Sequence, residues 1–289
     1  MVRNQSQKNL TRRLVRFFNR AWVHTLLVLI AGVWLVPNIG LFFQSLRSPA
    51  DISASGWWTV FGNLEQLTLA PYQRIFATPA IVRSIGNSFA ITIPTVVLVV
   101  LLASMAGYAL GCMKFKGRDH LFLLVVALLI VPVQVAFIPI AQLYARLGIF
   151  GSILGLVLFH VGFGLPFGVF LLRNMYSTIP GPLFEAARMD GAGHVRIFIT
   201  IGLPLVSPAI ASLSIFQFVW VWNNLLSAMV FTRPDSAPLT VAIQQQMRNF
   251  GSNVDIIAPA AFIQLLVPLV IYFAFQRFFV EGITGGSVK

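Results

Sequence analysis

Uncharged polar side chains and an indole lie inside long apolar stretches of this sequence. Gln217, Trp220 and Asn224 are spaced i, i+3 and i+7, which places them on one face if their segment is helical. Amide groups beside an indole face could bind the hydroxyl groups of a polar solute. The alternative is hydrogen bonding between neighbouring helices, which explains most polar residues inside apolar helices. Both interpretations stay open, and they apply equally to four further residues, Gln134, Ser214, Asn223 and Gln264.

A second set of residues forms a segment of mixed character, residues 177–204. Pro182 suits the first turn of a helix, residues 183–190 are mostly strong helix formers, and Gly191 allows a sharp stop. A second short helix is predicted over residues 193–201. A loop that only connects two helices needs a handful of residues, so a stiff pair of helices indicates a surface that docks into another protein.

The predicted docking surface has a small apolar centre and a charged rim. Its apolar side chains are Ala186, Ala187 and Met189. The charged side chains around them are Glu185, Arg188 and Asp190. Alanine allows a partner to approach closely, and the carboxylates can pair with basic or amide groups. Glu185 taken alone would be a solvated helix residue, as most glutamates are.

Several other kinds of chemistry have no support in the sequence. The single Cys112 excludes an internal disulfide and any multi-cysteine zinc site. His160 has no second ligand nearby, so a packed, hydrogen-bonded histidine is expected rather than a metal ligand or proton carrier. The phosphate-binding motif GxxxxGK(S/T) is absent, so this chain cannot hydrolyse ATP. We therefore expect no metal, no cofactor in this chain and no enzymatic activity.

Composition indicates whether these residues lie in water or in a lipid bilayer. Of the 289 residues, 57% are hydrophobic and only 10% are charged, and the mean hydropathy is +0.84. Soluble domains carry roughly 25% charged residues, and disordered chains have low hydrophobicity, so both classes are excluded. The composition is typical of a chain that lies in a lipid bilayer.

Six apolar segments are long enough to cross a bilayer, which needs about 20 residues of helix. None contains Asp, Glu, Lys or Arg, and the segments are residues 22–44, 85–111, 121–143, 152–172, 203–231 and 257–276. Because backbone groups in lipid must be bonded internally, these segments predict an all-α membrane protein with a six-helix bundle. A basic tail over residues 1–21 precedes the membrane domain, residues 22–281, and a short tail over residues 282–289 follows it.

Basic residues fix the expected orientation. With the N-terminus inside, 14 of the 20 Lys and Arg residues lie on the cytoplasmic side. This bias predicts a multi-pass protein with both termini in the cytoplasm. It also explains the net charge of +12 without nucleic acid, because the surplus lies at helix ends that face anionic lipid.

Two further segments have open interpretations. Ala103, Gly107 and Gly111 share one helix face, which suits close helix packing either inside the subunit or between subunits. The external segment 69–85, with Trp57 and Trp58 upstream, is predicted to be an interfacial helix with an aromatic belt. Its alternative is a docking surface for an external binding protein.

The motifs together resemble a known family. Glu185-Ala186-Ala187, Asp190-Gly191-Ala192 and Ile201-Gly202-Leu203-Pro204 are similar to the EAA loop of ABC importer permeases. The resemblance extends over about residues 67–289 and is to the carbohydrate-uptake, MalG-like branch. Trp222-Asn223 resembles the Trp-Asn of that branch, although an acidic residue is often found where this chain has Asn224. The stretch 51–58 resembles that of α-glucoside-type members.

The resemblance implies the type I importer fold and an ATP-driven cycle of alternating access that brings a sugar into a prokaryotic cell across its inner or plasma membrane. It implies a second permease subunit, two copies of a cytoplasmic ATPase that binds ATP and Mg, and an extracytoplasmic solute-binding protein. The sequence alone would also permit a homodimer.

Residue roles follow from the same resemblance. Contact with the ATPase is implied for Glu185, Ala186, Ala187, Arg188, Met189, Asp190, Gly191 and Pro204, and for the tail residues Thr284, Gly285 and Gly286. The expected substrate path is lined by Gln134, Ser214, Gln217, Trp220, Asn223 and Asn224, unless the partner permease makes most of the contacts.

An ion-coupled secondary carrier is the alternative function. Carriers of that kind commonly place an ionisable residue at mid-membrane, and many are built from inverted repeats. The six segments contain no Asp, Glu, Lys or Arg, and no inverted repeat is evident. The carrier hypothesis also leaves residues 177–204 without a role.

Overall fold

The computed structural model describes residues 2–247 and 254–284, with side chains described from 21 to 247 and from 255 to 276. The described chain is helical apart from turns and two isolated bridges. It divides into two compact units, one of residues 1–73 with 254–262 and one of residues 74–253 with 263–289.

The helices of the chain are numbered in order. The first three are α1 (Val2–Ser45), α2 (Pro49–Ala54) and α3 (Ala70–Ala77). The next four are α4 (Pro79–Cys112), α5 (Arg118–Leu128), α6 (Phe137–Arg146) and α7 (Ile153–Tyr176). They are followed by α8 (Gly181–Met189), α9 (His194–Ile197), α10 (Leu203–Leu205), α11 (Ser207–Trp222), α12 (Leu225–Phe231), α13 (Leu239–Met247) and α14 (Val254–Thr284).

Four helical segments within the described residues are long and apolar enough to cross a membrane unbroken. They are Ala21–Ser45, Pro79–Cys112, Ile153–Tyr176 and Asp255–Gln276. Two further helix pairs are bent, by 91° between Arg118–Leu128 and Val133–Arg146 and by 75° between His194–Leu205 and Ser207–Trp222. The count reaches six only if each bent pair is one span.

The structure therefore corrects two predicted helices. Residues 121–143 were expected to form one span, but α5 ends at Leu128 and a 3₁₀ turn, Val133–Ala136, follows Pro132. Residues 203–231 were expected to form another, but this segment is interrupted at Val206 and again between Trp222 and Leu225. Hydropathy measures apolar length and is insensitive to such breaks.

Proline explains the break at Val206. Pro208 has no backbone N–H, so it cannot donate to the carbonyl of Pro204 four residues earlier. The Ser207 hydroxyl donates to that carbonyl instead, at 2.8 Å. A π-helical turn, Phe198–Gly202, precedes the break, and turns of this kind occur where a helix is locally distorted.

Close packing of α4 against α7 forms the centre of the second unit. A Cβ added at Gly168 of α7 would lie 2.8 Å from the Ala103 Cβ, and one at Gly111 would lie 2.8 Å from the Tyr176 Cβ. One at Gly107 would lie 3.0 Å from the backbone nitrogen of Arg173. The small residues of α4 thus pack against a helix of the same chain.

In the first unit, a buried arginine organises the segment after α1. Arg47 is 0% exposed, and its guanidinium donates to the Asp51 and Ser55 carbonyl oxygens at 2.8 and 3.0 Å. Tyr72 shares a 2.8 Å hydrogen bond with the Ser45 hydroxyl, and burial raises the pKa of Tyr72 although that bond opposes the rise.

The predicted single helix over residues 69–85 is wrong. Helix α3 ends at Ala77, Thr78 is extended, and Pro79 begins α4 in its first turn. Proline disfavours helical backbone at the residue before it, which explains the interruption at Thr78.

Candidate functional site

Two short helices form the segment that the sequence marked as a docking surface. Helix α8 runs from Gly181 to Met189, with Pro182 in its first turn, and ends beside Gly191, whose φ is +78°. Glycine adopts that left-handed backbone without the cost that a Cβ brings. The next helix starts at His194, so residues 190–193 separate the two helices.

The inner face of α8 is anchored by an aromatic cluster that sequence reasoning missed. Phe184 is 5% exposed, and its ring centroid lies 6.2 Å from that of Tyr108 on α4. Tyr108 in turn packs against Tyr176 at 5.6 Å and Phe198 at 5.3 Å. The presence of a large aromatic residue directly before Glu185 was the available signal. The cluster fixes α8 to the ends of α4 and α7.

The outer face of α8 is open. Met189 is 88% exposed, and Glu185, Ala186, Arg188 and Asp190 are also exposed. In the helical segment that follows, two apolar side chains are also exposed, Val195 at 72% and Ile199 at 55%. Ala187 points the other way, is half-buried and packs against the inner cluster, while Pro204 is exposed.

Four of the six predicted path residues line one cavity. Gln134, Trp220, Asn223 and Asn224 surround a space of about 430 Å³ together with Val133, Phe137, Val219, Leu225, Leu226 and Ser227. Gln134 belongs to the 3₁₀ turn that follows Pro132, and the two asparagines belong to the break after α11. Two interrupted helices therefore meet at this cavity, which we call the polar cavity.

The break after α11 is stabilised by its own side chains. Asn223 donates its amide to the Val219 carbonyl at 3.0 Å. Asn224 caps α12, because its side-chain oxygen accepts a hydrogen bond from the Ser227 backbone nitrogen at 3.0 Å. The predicted single face through Gln217, Trp220 and Asn224 is thus divided by the end of a helix.

Gln217 lines a second cavity, of about 320 Å³, with Phe163, Gly164, Phe167, Phe216 and Trp220. Trp220 borders both cavities. Gln217 is 3% exposed, and its amide nitrogen has no hydrogen-bond partner among the described residues. A Cβ at Gly164 would clash with this amide, so glycine provides the space for it.

Ser214 lies apart from these groups, whereas the Gln264 side-chain amide contacts one residue of the polar cavity, donating to the Asn223 side-chain oxygen at 3.3 Å. Ser214 borders an apolar cavity of about 420 Å³ and donates its hydroxyl to the Ile210 carbonyl at 2.8 Å. Gln264 donates to the Trp222 carbonyl at 2.9 Å, and the Trp222 indole donates back to the Gln264 carbonyl at 3.0 Å. For Gln264, helix-to-helix hydrogen bonding is the observed arrangement.

The remaining predicted contact residues belong to the C-terminal tail. Thr284 is the last residue of α14, while Gly285 and Gly286 lie outside the described residues. Among the residues whose side chains the structure describes, 21–247 and 255–276, no group of three His, Cys, Asp or Glu residues could hold a metal ion.

A family comparison identifies this arrangement. Residues 84–285 match the model of the family described as "Binding-protein-dependent transport system inner membrane component". The chain belongs to this family. The match includes the α8 segment and both interrupted helices, so the permease has its candidate docking surface and its polar cavity inside the family region.

Similar proteins that are named as transport permeases come from several prokaryotes. The osmoprotective compounds uptake permease protein GgtD of Synechocystis sp. is 41% identical over 293 residues, covering 100% of this chain and 98% of GgtD. The alpha-glucoside transport system permease protein AglG of Rhizobium meliloti is 42% identical over 231 residues, covering 78% of this chain and 61% of AglG. The arabinooligosaccharides transport system permease protein AraQ of Halalkalibacterium halodurans is 34% identical and covers 93% and 96%.

A solved structure shares the fold. A chain from the crystal structure of a bacterial ABC transporter that imports the acidic polysaccharide alginate superposes with a TM-score of 0.77 at 22% identity, covering 91% of this chain and 97% of that one. The permease is thus the membrane subunit of an ABC importer and not an enzyme, and ATP hydrolysis belongs to a separate subunit. Family membership decides against the ion-coupled carrier.

Proposed function

We propose that the permease carries a neutral, hydroxyl-rich solute of the carbohydrate class into the cytoplasm through the polar cavity. The observation that carries this proposal is the meeting of Gln134, Trp220, Asn223 and Asn224 at the junction of two interrupted helices. Interrupted helices at membrane depth are tolerated where they line a cavity, and transporters bind their substrates at such sites.

The chemistry of the lining supports a neutral solute. Amide groups can both donate and accept hydrogen bonds, as sugar hydroxyls do, and an indole offers an apolar face for a sugar ring. Among the described residues that line the polar cavity there is no Asp, Glu, Lys or Arg. An acidic or basic solute would find no counter-charge in that lining. The names of AglG, an alpha-glucoside permease, and of AraQ, an arabinooligosaccharides permease, agree with hydroxylated substrates, and an α-glucoside is our specific expectation.

Helix α8 transmits the ATPase motion in this proposal. Its inner face is fixed to the permease by Phe184, and its outer face presents Glu185, Ala186 and Met189 to a partner. An exposed methionine among small and charged residues suits a cleft in another protein. The partner ATPase binds ATP and Mg, and its closure moves α8 and the helices attached to it. Pro204, Thr284, Gly285 and Gly286 are proposed as further contacts with the ATPase.

The proposed assembly contains a second permease, two ATPase copies and an external solute-binding protein. The family description itself names a binding protein. The alginate importer, whose chain matches with a TM-score of 0.66, has been solved with its oligosaccharide-bound periplasmic protein. Both termini and α8 lie in the cytoplasm in this arrangement, as the basic residues indicate.

Uptake of a radiolabelled α-linked glucose disaccharide into proteoliposomes tests the solute path. Trp220→Ala and Asn223→Ala should each lower ATP-driven uptake about tenfold or more, because one stacking or hydrogen-bonding contact to the solute is lost. Ser212→Ala is the matched control on the same helix, since its hydroxyl donates to the Pro208 carbonyl and it is not among the described lining residues of the polar cavity. Uptake unchanged in both path variants would contradict the proposed path.

A further inference from the structure

A second, much smaller polar cavity lies beside the polar cavity. It has a volume of about 10 Å³ and is bordered by Ser88 and Thr92 of α4, His160 of α7 and Asn224. Its other lining residues are Ile91, Leu156, Val221, Trp222, Ala228 and Pro238. A space of this size has room for about one water molecule, which needs two to four polar partners.

His160 is the buried group that points to a ligand there. It is 1% exposed, and neither ring nitrogen completes a hydrogen bond of ordinary geometry within the described residues. The Leu156 carbonyl, one helical turn earlier, lies near enough to interact with the ring without such a bond. A neutral imidazole has one donor and one acceptor nitrogen, so at most one of them could be satisfied by that carbonyl. The sequence-based expectation of a packed histidine is therefore confirmed, but among the described residues no hydrogen bond of ordinary geometry reaches its ring nitrogens.

The other polar groups around the cavity have hydrogen-bonding capacity left. The Ser88 hydroxyl oxygen accepts from the Leu239 backbone nitrogen at 2.9 Å, which leaves its proton for another acceptor. The Asn224 side-chain oxygen accepts from the Ser227 backbone nitrogen at 3.0 Å, which leaves its amide N–H groups to donate. Two donors and an imidazole thus border a space of one water molecule.

We propose that this cavity binds an ordered water molecule that links His160 to Ser88 and Asn224, and that His160 is thereby a positioning residue for the solute path. The imidazole supports two residues of that path. It reaches Asn224 through the water, and its ring contacts Trp220 directly, with centroids 5.2 Å apart and planes at 85°. The water site stands on its own geometry, whereas the positioning role rests on the proposed function.

High-resolution cryo-electron microscopy of the intact importer tests the water directly. Density for one water molecule within hydrogen-bond distance of a His160 ring nitrogen is expected. Well-defined side-chain density around Ser88, His160 and Asn224 without such a water would overturn the proposal.

Two substitutions at His160 test the positioning role. His160→Phe keeps an aromatic ring beside Trp220 but has no nitrogen, whereas His160→Gln keeps a donor and an acceptor. Equilibrium binding of a radiolabelled α-linked glucose disaccharide to the purified complex should weaken about tenfold in His160→Phe and stay within about twofold in His160→Gln. Basal ATPase activity and the melting temperature, measured on both variants, report whether the complex is assembled and folded.

The outcomes separate the two proposals. Equal binding by His160→Phe and the unchanged protein, with both complexes assembled, would overturn the positioning role. If the His160→Phe complex does not assemble, His160→Gln provides the test. Loss of the water density in His160→Gln, with binding equal to that of the unchanged protein, would then overturn the positioning role. If Trp220→Ala and Asn223→Ala leave transport unchanged while the water is seen, the proposed solute path fails and the water site remains.

Discussion

The inner face of helix α8 packs against the permease, and its outer face is proposed to contact the ATPase. Substitutions on the two faces should therefore have separable effects. Phe184 on the inner face is 5% exposed and packs against Tyr108, while Met189 on the outer face is 88% exposed. Phe184→Ala removes the anchor to the permease. Met189→Glu leaves the anchor intact and places a charge on the surface proposed to enter the ATPase.

The magnitudes follow from burial. Truncating a buried phenylalanine to alanine costs about 3–5 kcal/mol in a packed core. Since 1.4 kcal/mol is a factor of ten, the docked position of α8 should become less favourable by roughly a hundredfold or more. An exposed substitution such as Met189→Glu changes the stability of a fold by about 0.5 kcal/mol or less. At the centre of an interface, by contrast, loss of an anchor side chain costs about 2 kcal/mol or more of binding energy.

Three measurements on each variant separate the effects: melting temperature of the detergent-purified permease, co-purification of the ATPase, and disaccharide molecules imported per ATP hydrolysed. Phe184→Ala should lower the melting temperature and the number imported per ATP. Met189→Glu should leave the melting temperature unchanged and release the ATPase.

Phe184→Leu is the control, because it keeps a large apolar side chain and should retain most of the coupling. A normal ratio of import to hydrolysis in Phe184→Ala would refute the anchoring role. A fall in melting temperature in Met189→Glu as large as that in Phe184→Ala would refute the division into two faces.

Three further substitutions test other parts of the structure. Gly191→Pro should abolish coupled uptake but not membrane insertion, because proline cannot adopt a φ of +78°; normal uptake would contradict this. Gly164→Ala should lower uptake, because its Cβ clashes with the Gln217 amide, and a crystal or cryo-EM structure with that amide unmoved would count against the reasoning. Trp222→Phe should lower the free energy of unfolding by about 1 kcal/mol, since the indole donor to the Gln264 carbonyl is lost, which a thermal melt in detergent measures.

Hydropathy predicted where the chain is apolar but not where its helices break. The interruption at Val206 follows from Pro208, which is visible in the sequence, yet prolines at 37, 94 and 166 lie inside continuous helices. At Pro208 the Ser207 hydroxyl donates to the Pro204 carbonyl, to which the proline has no N–H to donate. Such a bond depends on local geometry that periodicity does not contain.

The sequence predicted the types of residue in the candidate site better than their positions relative to one another. Spacing placed Gln217, Trp220 and Asn224 on one face, but Asn224 caps a new helix and Gln217 borders a different cavity. Which side of α11 faces a cavity depends on the packing of α4, α7 and α14, and Ser214 consequently lies in an apolar environment. Arg47, directly after α1, is fully buried and donates to backbone carbonyls, which no pattern in the sequence indicated.

The bounds of helix α8 were the most predictable part of the chain because they depend on local residues. Pro182 in the first turn and Gly191 after the last residue set the ends of α8 without help from distant residues. The anchor, Phe184, needed Tyr108 from a helix far away in sequence, and for that reason only the structure shows it.

Purification of the assembled complex, followed by uptake into proteoliposomes, tests the ATP-driven importer most directly. An ATPase and a second permease should co-purify with this chain, and import of an α-linked glucose disaccharide should require ATP inside the vesicle and the binding protein outside. Disaccharide import that runs on a proton or sodium gradient without ATP, by this chain free of any ATPase, would contradict it.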